Sequence, residues 1–340
     1  MMGQVTHELV LEVLDGCGGS ALEEARTLGL ARPVGPTELS LTTSDLDAVR
    51  SLRRAVAAST SLTVPARRPR ELLETSVQQR LGELLDQIRR QRPRPRFHGL
   101  RLEAAGAHTP EMRRLAAALA ELAGLPVDDE GDLVVRVRRG APPGTWQVLL
   151  RTTPRPLSTR AWRTVDYPGA VNATIAATAL DLLEVRAEDS MLDMTCGSGT
   201  FLIEQLHVAA PARAVGVDLD PSAIDAAAAH QRAARRKGRV DWIVGDVLTE
   251  QLEPGFTRFL TNPPWGTLHG EHEANQQLLA DLLRRAAELA APSARLGVLT
   301  HEITRMHRVL EEDASGWRPV LEHRFFQKGH HPRLFLLERD

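Results

Sequence analysis

Cysteine is scarce: Cys17 and Cys196 are the only two in 340 residues. Two thiols cannot build a disulfide framework, and neither stands in a CxxC pair of the metal-binding kind, so a reducing, cytoplasmic setting is expected. No apolar run approaches the roughly 18 residues of a membrane span, which argues against a membrane partner. The opening MMGQVTHELVLEV has no basic segment leading into a long apolar one, so no secretory signal is expected. Internal repeats and low-complexity tails are missing too. The hydrophobic fraction of 42% and charged fraction of 25% match a globular chain long enough for two domains.

A strong excess of either charge is also lacking. The formal net charge is −2, which taken alone speaks against a nucleic-acid partner. The halves differ in sign, however: residues 1–165 carry 24 basic against 19 acidic side chains, and residues 166–340 carry 18 against 25. Lysine is absent from the first half, whose arginines concentrate in PARRPRE (65–71) and RRQRPRPRF (89–97). Arg67, Arg68 and Arg70, then Arg89, Arg90, Arg92, Arg94 and Arg96, with Arg136, Arg138 and Arg139 on a predicted strand, are candidate RNA contacts. The planar guanidinium fork suits phosphate oxygens. The same strips also fit the solvated face of a chain that uses arginine wherever others use lysine.

Apolar periodicity predicts the elements. HELVLEVL reads as a strand, GSALEEARTLGL as a helix closed by Gly29, DLDAVRSLRRA as a second helix and VAASTSLTV as a strand. Together they make an N-terminal ferredoxin-like α+β arm over residues 1–69. In residues 70–90, Leu72, Leu73, Val77, Leu81, Leu84, Leu85 and Ile88 recur at helical spacing and predict an amphipathic helix. RFHGLRLEAAG reads as a strand, TPEMRRLAAALAELAG as a helix with Thr109 as N-cap and Pro110 at the first helical position, and DLVVRVRRG and TWQVLLRT as two strands. These form a second small α+β unit over 70–153. TPRPLSTRAWRTVDYPG has three prolines and few aliphatics, and predicts an ordered linker over 154–168. From 169 to 340, strands alternate with helices, which predicts a Rossmann-like parallel sheet covered on both faces. WRPVLEHRFFQ, the turn KGHHP and RLFLLER add a terminal antiparallel hairpin.

In such sheets ligands bind beyond the carboxyl ends of the strands, near the topological switch point. Four distinctive segments fall there. The first, DMTCGSGT (193–200), is a glycine turn between a strand and a helix: Gly197 and Gly199 let backbone approach a ligand, and the helix-opening amides favour a carboxylate or phosphate. In the second, GVDLDP, Asp218 stands 19 positions beyond Gly199, close to the offset at which an acidic side chain meets ribose hydroxyls. Asp220 is a second acidic candidate that reads equally as the residue opening a helix before Pro221. Gly245 and Asp246 form the third segment, and NPPW, Asn262 to Trp265, the fourth. Proline cannot donate to a sheet ladder, so Pro263 and Pro264 end a strand and leave a turn rich in acceptors beside an aromatic face. NPPW taken alone also fits an ordinary strand-ending turn. The third glycine of a dinucleotide fingerprint is missing, with Leu202 in its place, which disfavours NAD. HGEHE (269–273) reads as a solvated loop and not a metal site, and no metal is expected. His330 and His331 read as hairpin-turn residues, and Cys196 as a small packing residue.

In this order on successive strands, the four segments resemble the class I S-adenosylmethionine-dependent methyltransferases over about residues 166–340. The resemblance implies that Gly197 and Gly199 make room for the methionine end of S-adenosylmethionine and that Asp193 helps hold it. It also implies that Asp218 binds the ribose hydroxyls and Asp246 the adenine amine. Cys196, Ser198, Thr200, Phe201, Leu219, Asp220, Val247 and Asn262 belong to the same implied cofactor site. NPPW implies methylation of an amide-like or ring-attached amine, with Asn262, Pro263, Pro264 and Trp265 as the catalytic set. The arm and second unit, followed by RPLSTRAWR, DYPGAVNATIAATALDLL and the ending GHHPRLFLLER, resemble the THUMP-bearing RNA methyltransferases, in particular the tRNA guanosine N2-methyltransferases of the acceptor stem. That implies tRNA, or another structured RNA, as the partner; a monomer is favoured, with the oligomeric state left open. Two features depart from the family: GTLHG stands where a basic residue usually follows the proline turn, and the net charge is low for a tRNA binder. The alternatives are methylation of adenine or of a protein glutamine, or an RNA-binding protein that binds cofactor without turnover.

Overall fold

Alternation of apolar and polar residues in HELVLE and ELSLTT buries Leu9, Leu11, Leu39 and Leu41. That pattern pins the register of an antiparallel pair in which Leu9 faces Leu41 and Leu11 faces Leu39. The computed structural model describes residues 6–264, 272–326 and 329–339. It divides into two units, Met1–Val13 with Ala21–Ser158, and Leu14–Ser20 with Thr159–Asp340.

The first unit contains β1 (His7–Glu12), α1 (Gly18–Arg26, shared at its start with the second unit), β2 (Leu30–Gly35), β3 (Glu38–Thr43) and β4 (Ala57–Pro65). It continues with α2 (Thr75–Arg90), β5 (Leu100–Ala104), α3 (Pro110–Ala123), β6 (Leu133–Arg139) and β7 (Thr145–Arg151). Its strands form one sheet in the order β2-β3-β1-β4-β7-β6-β5. The expected boundary at 69/70 does not divide two sheets, because β4, before it, pairs with β7, after it, from Ser59–Arg151 to Pro65–Thr145. α2 buries Val77, Leu81, Leu85 and Ile88, and α3 buries Met112, Leu115 and Leu119, against the apolar sheet residues. As the sequence predicts, Thr109 caps α3 by accepting from the Met112 amide, Pro110 opens the helix, and Gly124 closes it at φ 62°.

Two local expectations fail. DLDAVRSLRRA forms only a short 3-10 turn at Ala48–Ser51. The amides of Arg53 and Arg54, which would continue a helix, donate instead to the Glu24 carboxylate at 2.9–3.0 Å. The hairpin β2–β3 goes unpredicted because Pro33 and Pro36 interrupt its pattern. Pro33 is tolerated because β2 is an edge strand with an irregular register at that point.

The second unit runs α4 (Ala173–Leu182), β8 (Ser190–Asp193), α5 (Thr200–Val208), β9 (Arg213–Asp218), α6 (Pro221–Ala234), β10 (Asp241–Val244) and β11 (Phe256–Thr261). It closes with α7 (His272–Leu289), β12 (Ala290–Thr300), α8 (Ile303–Asp313), β13 (Arg318–Arg324) and β14 (Arg333–Glu338). α8 was not expected from the sequence; its short apolar face rests on Met306 and Val309. The sheet order is β10-β9-β8-β11-β12-β14-β13, parallel through β12 and antiparallel at β14 and β13. This is the Rossmann-like sheet with a terminal hairpin. α4 and α5 pack with one apolar cluster, α7 and α8 with another. The chain therefore reverses its order between β8 and β11, and a crevice opens beyond their carboxyl ends. Among the described residues no helix is long and apolar enough to cross a membrane.

Candidate active site

The glycine turn after β8 is drawn tight by backbone bonds: Met194 donates to the Leu260 carbonyl, Cys196 to the Val217 carbonyl and Gly199 to the Cys196 carbonyl, each at 2.9 Å. Gly197 and Gly199 take φ 51° and 80°, a region open to glycine. Their reasons differ. A Cβ on Gly199 would stand 2.6 Å from the Trp242 ring and 3.0 Å from Ala227, so packing inside the unit forbids a side chain there. At Gly197 the nearest such neighbour is the Tyr167 ring at 3.8 Å, and space for a ligand remains.

The acidic residues sit at neighbouring strand ends. One oxygen of Asp218 accepts from the Gly197 amide at 2.7 Å and the other from the Asp220 amide at 3.0 Å. Asp220 is the N-cap of α6: it accepts from the Ser222 amide and hydroxyl at 2.8 and 2.7 Å, and from the Tyr167 hydroxyl at 3.1 Å. The Ser222 bonds hold its carboxyl below the usual carboxylate range, and burial with the Asp220 bond pushes the Tyr167 hydroxyl up to about 12. Asp246 accepts from the Leu248 amide at 3.0 Å. Asp193 is fully buried behind the turn, and neither of its oxygens has a partner of good hydrogen-bond geometry. Burial, followed by the charge of Asp218, drives its carboxyl well above the usual range; the Thr195 amide offsets part of this. Burial likewise lifts the Cys196 thiol, which keeps it protonated and inert.

The proline turn follows β11. The Asn262 amide donates to the Thr195 hydroxyl at 3.1 Å, while the Asn262 side-chain oxygen is buried without a partner among the described residues. Pro263 is buried and Pro264 exposed. Trp265, His269 and Glu271 lie outside the described residues, as do the side chains of His272 and Glu273.

These strand ends surround a cavity of about 740 Å³. Of the residues chosen from the sequence, Cys196, Gly197, Ser198, Thr200, Phe201, Asp218, Leu219, Asp246, Val247, Asn262, Pro263 and Pro264 line it; Asp193, Gly199 and Asp220 do not. Sequence reasoning missed Tyr167, Thr195 and Leu248, which also line it. Among the described residues no lysine or arginine does. A site with two carboxylates in its wall and, among the described residues, no lysine or arginine suits a positively charged ligand with donor groups, and does not suit a pyrophosphate. That meets the requirements of S-adenosylmethionine, whose sulfonium is cationic and whose ribose and adenine offer O–H and N–H donors. Among the described residues no group of three or more His, Cys, Asp or Glu is placed to hold a metal ion.

The segment before α4 also goes beyond the linker reading. Arg160 and Glu204 form a buried ion pair at 2.8 Å. Arg163 donates to the Val171 carbonyl and the Thr200 hydroxyl, both at 2.9 Å. His230 is buried with one ring nitrogen 3.0 Å from the Ser198 carbonyl and the other 3.1 Å from the Val165 amide. No local pattern in the sequence announces these pairs.

The arginines of the first unit separate into two groups. Arg136 pairs with Glu12 and Glu103, and Arg138 with Glu38. Arg89 donates to the Ala123 carbonyl. Arg67, Arg68, Arg70, Arg90, Arg92, Arg94, Arg96 and Arg139 are exposed, the last lying over the Trp146 ring at 4.2 Å. Arg94 and Arg96 border a concavity with Phe97 and His98.

The UPF0020 family model, described as RMKL-like, methyltransferase domain, matches residues 160–333, just over half of the chain. The chain belongs to this family. Two curated relatives resemble this UPF0020 member. The tRNA (guanine(6)-N2)-methyltransferase of Methanocaldococcus jannaschii is 24% identical over 186 residues, covering 43% of this chain and 48% of that protein. The tRNA1(Val) (adenine(37)-N6)-methyltransferase of Porphyromonas gingivalis is 32% identical over 124 residues, covering 32% and 48%. The chain thus spans about half the length of the curated relatives it matches. Among solved structures, TrmN from Thermus thermophilus superposes with a TM-score of 0.74 at 23% identity, covering 99% of this chain and 100% of that one. The likeness extends the shared fold through both units.

Proposed function

We propose that the chain transfers a methyl group from S-adenosylmethionine to the exocyclic amine of a base in RNA, most specifically N2 of a guanosine in the tRNA acceptor stem. The observation that carries this reading is the buried side-chain oxygen of Asn262, unpartnered among the described residues, at the edge of an acidic cavity that no described lysine or arginine lines. An unpaired buried acceptor costs about 1–3 kcal/mol, and a substrate that brings an N–H group removes that cost. Bound S-adenosylmethionine supplies an electrophilic methyl on a positively charged sulfur.

Asp218 accepts from ribose hydroxyls, with its carboxylate already oriented by the Gly197 and Asp220 amides. Asp246 serves the adenine end, and Asp193, by the family resemblance, helps hold the methionine end. At the reacting amine, the Asn262 side-chain oxygen and the Pro263 carbonyl accept its two N–H bonds. They pull the nitrogen toward a tetrahedral geometry and stabilise the positive charge that grows on it. No strong base is required before transfer, because the surplus proton leaves the nitrogen after it has been methylated. What remains is alignment of nitrogen, methyl and sulfur. Trp265, by the family resemblance, offers the face on which a flipped base stacks.

Residues 1–69 act as an arm and 70–153 as a THUMP-like unit that holds tRNA through the exposed arginines; Arg136 and Arg138 serve the unit's own sheet. The enzyme works as a cytoplasmic monomer. Both curated relatives act on exocyclic purine amines of tRNA, guanine N2 in one and adenine N6 in the other. Adenine is therefore the second reading. Mass spectrometry of tRNA nucleosides from a deletion strain tests the proposal: loss of N2-methylguanosine supports it, loss of N6-methyladenosine moves it to the second reading, and an unchanged profile refutes tRNA as the substrate.

A further inference from the structure

The two halves of the proposed reaction come from two different turns, and transfer requires that they be held in register. β8 and β11 lie side by side and parallel, with Asp193 opposite Leu260. Beyond them the chain departs toward α5 on one side and α7 on the other, so the ladder that aligns the strands stops where alignment matters most. The last ladder bond is the Met194 amide to the Leu260 carbonyl, at 2.9 Å. One residue further on, a side chain takes over. The Thr195 hydroxyl oxygen lies 2.9 Å from the hydroxyl of Thr261, which is fully buried, and accepts from the Asn262 amide at 3.1 Å. Thr195 belongs to the glycine turn on the cofactor side and lines the cavity. Asn262 belongs to the amine side. Within this described geometry, Thr195 joins the two turns by a side chain at the floor of the crevice.

We propose that Thr195 is a positioning residue that registers the acceptor amine with the methyl donor. Its hydroxyl fixes the Asn262 backbone, and through it the direction of the Asn262 side-chain oxygen. This rests on the function proposed above and adds a role for a residue that touches neither reacting atom. Valine has nearly the shape of threonine but cannot accept a hydrogen bond, so Thr195→Val frees the Asn262 amide while leaving the cavity's shape intact. A misplacement of about 1 Å at a reacting centre can slow transfer about 10²-fold.

The test uses the full-length chain, with Thr195→Val beside Thr195→Ser. Amide hydrogen exchange read at Asn262 reports the bond without any substrate: exchange should be faster in Thr195→Val and restored in Thr195→Ser. In single turnover on unmodified tRNA, Thr195→Val should transfer about ten-fold more slowly, with S-adenosylmethionine affinity changed by less than about two-fold and the rate recovered in Thr195→Ser. Wild-type transfer rate in Thr195→Val overturns the inference, as does a loss of cofactor affinity equal to the loss of rate, which would make Thr195 a cofactor contact. Unchanged exchange at Asn262 in Thr195→Val overturns it too. If the wild-type chain methylates no tRNA, the proposed substrate is refuted and the exchange measurement alone decides the inference.

Discussion

The strand ends β9 and β10 and the strand end β11 open onto the same cavity but are finished differently. At the first two, Asp218 accepts the Gly197 amide of the glycine turn and the Asp220 amide of its own turn, and Asp246 accepts the Leu248 amide. At the third, the Asn262 side-chain oxygen accepts nothing from the described residues. The difference fits two tasks. A carboxylate that recognises a cofactor gains from being held in one orientation before binding, since less ordering remains to be done. An acceptor that must act on charge developing during transfer is best left unsatisfied until the substrate arrives.

Breaking the unsatisfied side of this comparison should have the largest effect. Asn262→Ala should lower the single-turnover rate by roughly 10²–10³ with little change in tRNA affinity, the scale for removing one preorganised hydrogen-bond partner. Asn262→Asp keeps an acceptor oxygen and should lose less. Breaking the pre-ordered side should act on binding: Asp218→Ala should weaken S-adenosylmethionine by ~1.5–3 kcal/mol in calorimetry, and NAD should not bind either form. Equal affinity for NAD would contradict the reading of the cavity.

A smaller effect sharpens the same contrast in the first unit. Neutralising Arg67, Arg68, Arg92 and Arg94 together should weaken tRNA binding and flatten its salt dependence, by roughly 0.7–0.9 in log–log slope for each phosphate left without its arginine. Cofactor affinity should hold. Arg136→Ala should act mainly on stability, because it breaks the ion pair with Glu12 and leaves Glu103 with Arg101 alone.

The smallest effect concerns Asp193. Its folded carboxyl titrates well above the usual range, so the native state holds the proton more tightly than the unfolded chain. That contribution is present below the unfolded value of about 3.9 and is lost as pH rises through the folded one. Asp193→Asn should therefore raise the melting temperature by ~2–4 °C at neutral pH and lose the gain in acid, while weakening cofactor binding.

Much of the second unit was legible because its chemistry is local. A glycine turn, an acid at each following strand end and a double proline each sit within a few residues of a strand's last position, and the sheet's parallel order brings them to one crevice. The first unit was less so. The hairpin β2–β3 carries Pro33 at a sheet edge, and the expected helix after Asp45 gives way because Glu24, distant in sequence, captures its amides. Arg136 and Arg138 show the same limit: the sequence reveals a basic strand but not the carboxylates on β1, β3 and β5 that neutralise it. Thr195, Tyr167 and His230 act across the fold, and nothing in their own neighbourhoods marks them.

The most direct test follows one methyl group. Purified full-length chain is incubated with labelled S-adenosylmethionine and unmodified tRNA, and the tRNA is digested and its nucleosides identified by mass spectrometry. The account predicts label on the exocyclic amine of a purine, guanosine N2 foremost, and about 10²–10³ less of it in single turnover with Asn262→Ala. Label on a carbon or a ribose oxygen, or transfer by Asn262→Ala at the wild-type rate, would contradict it.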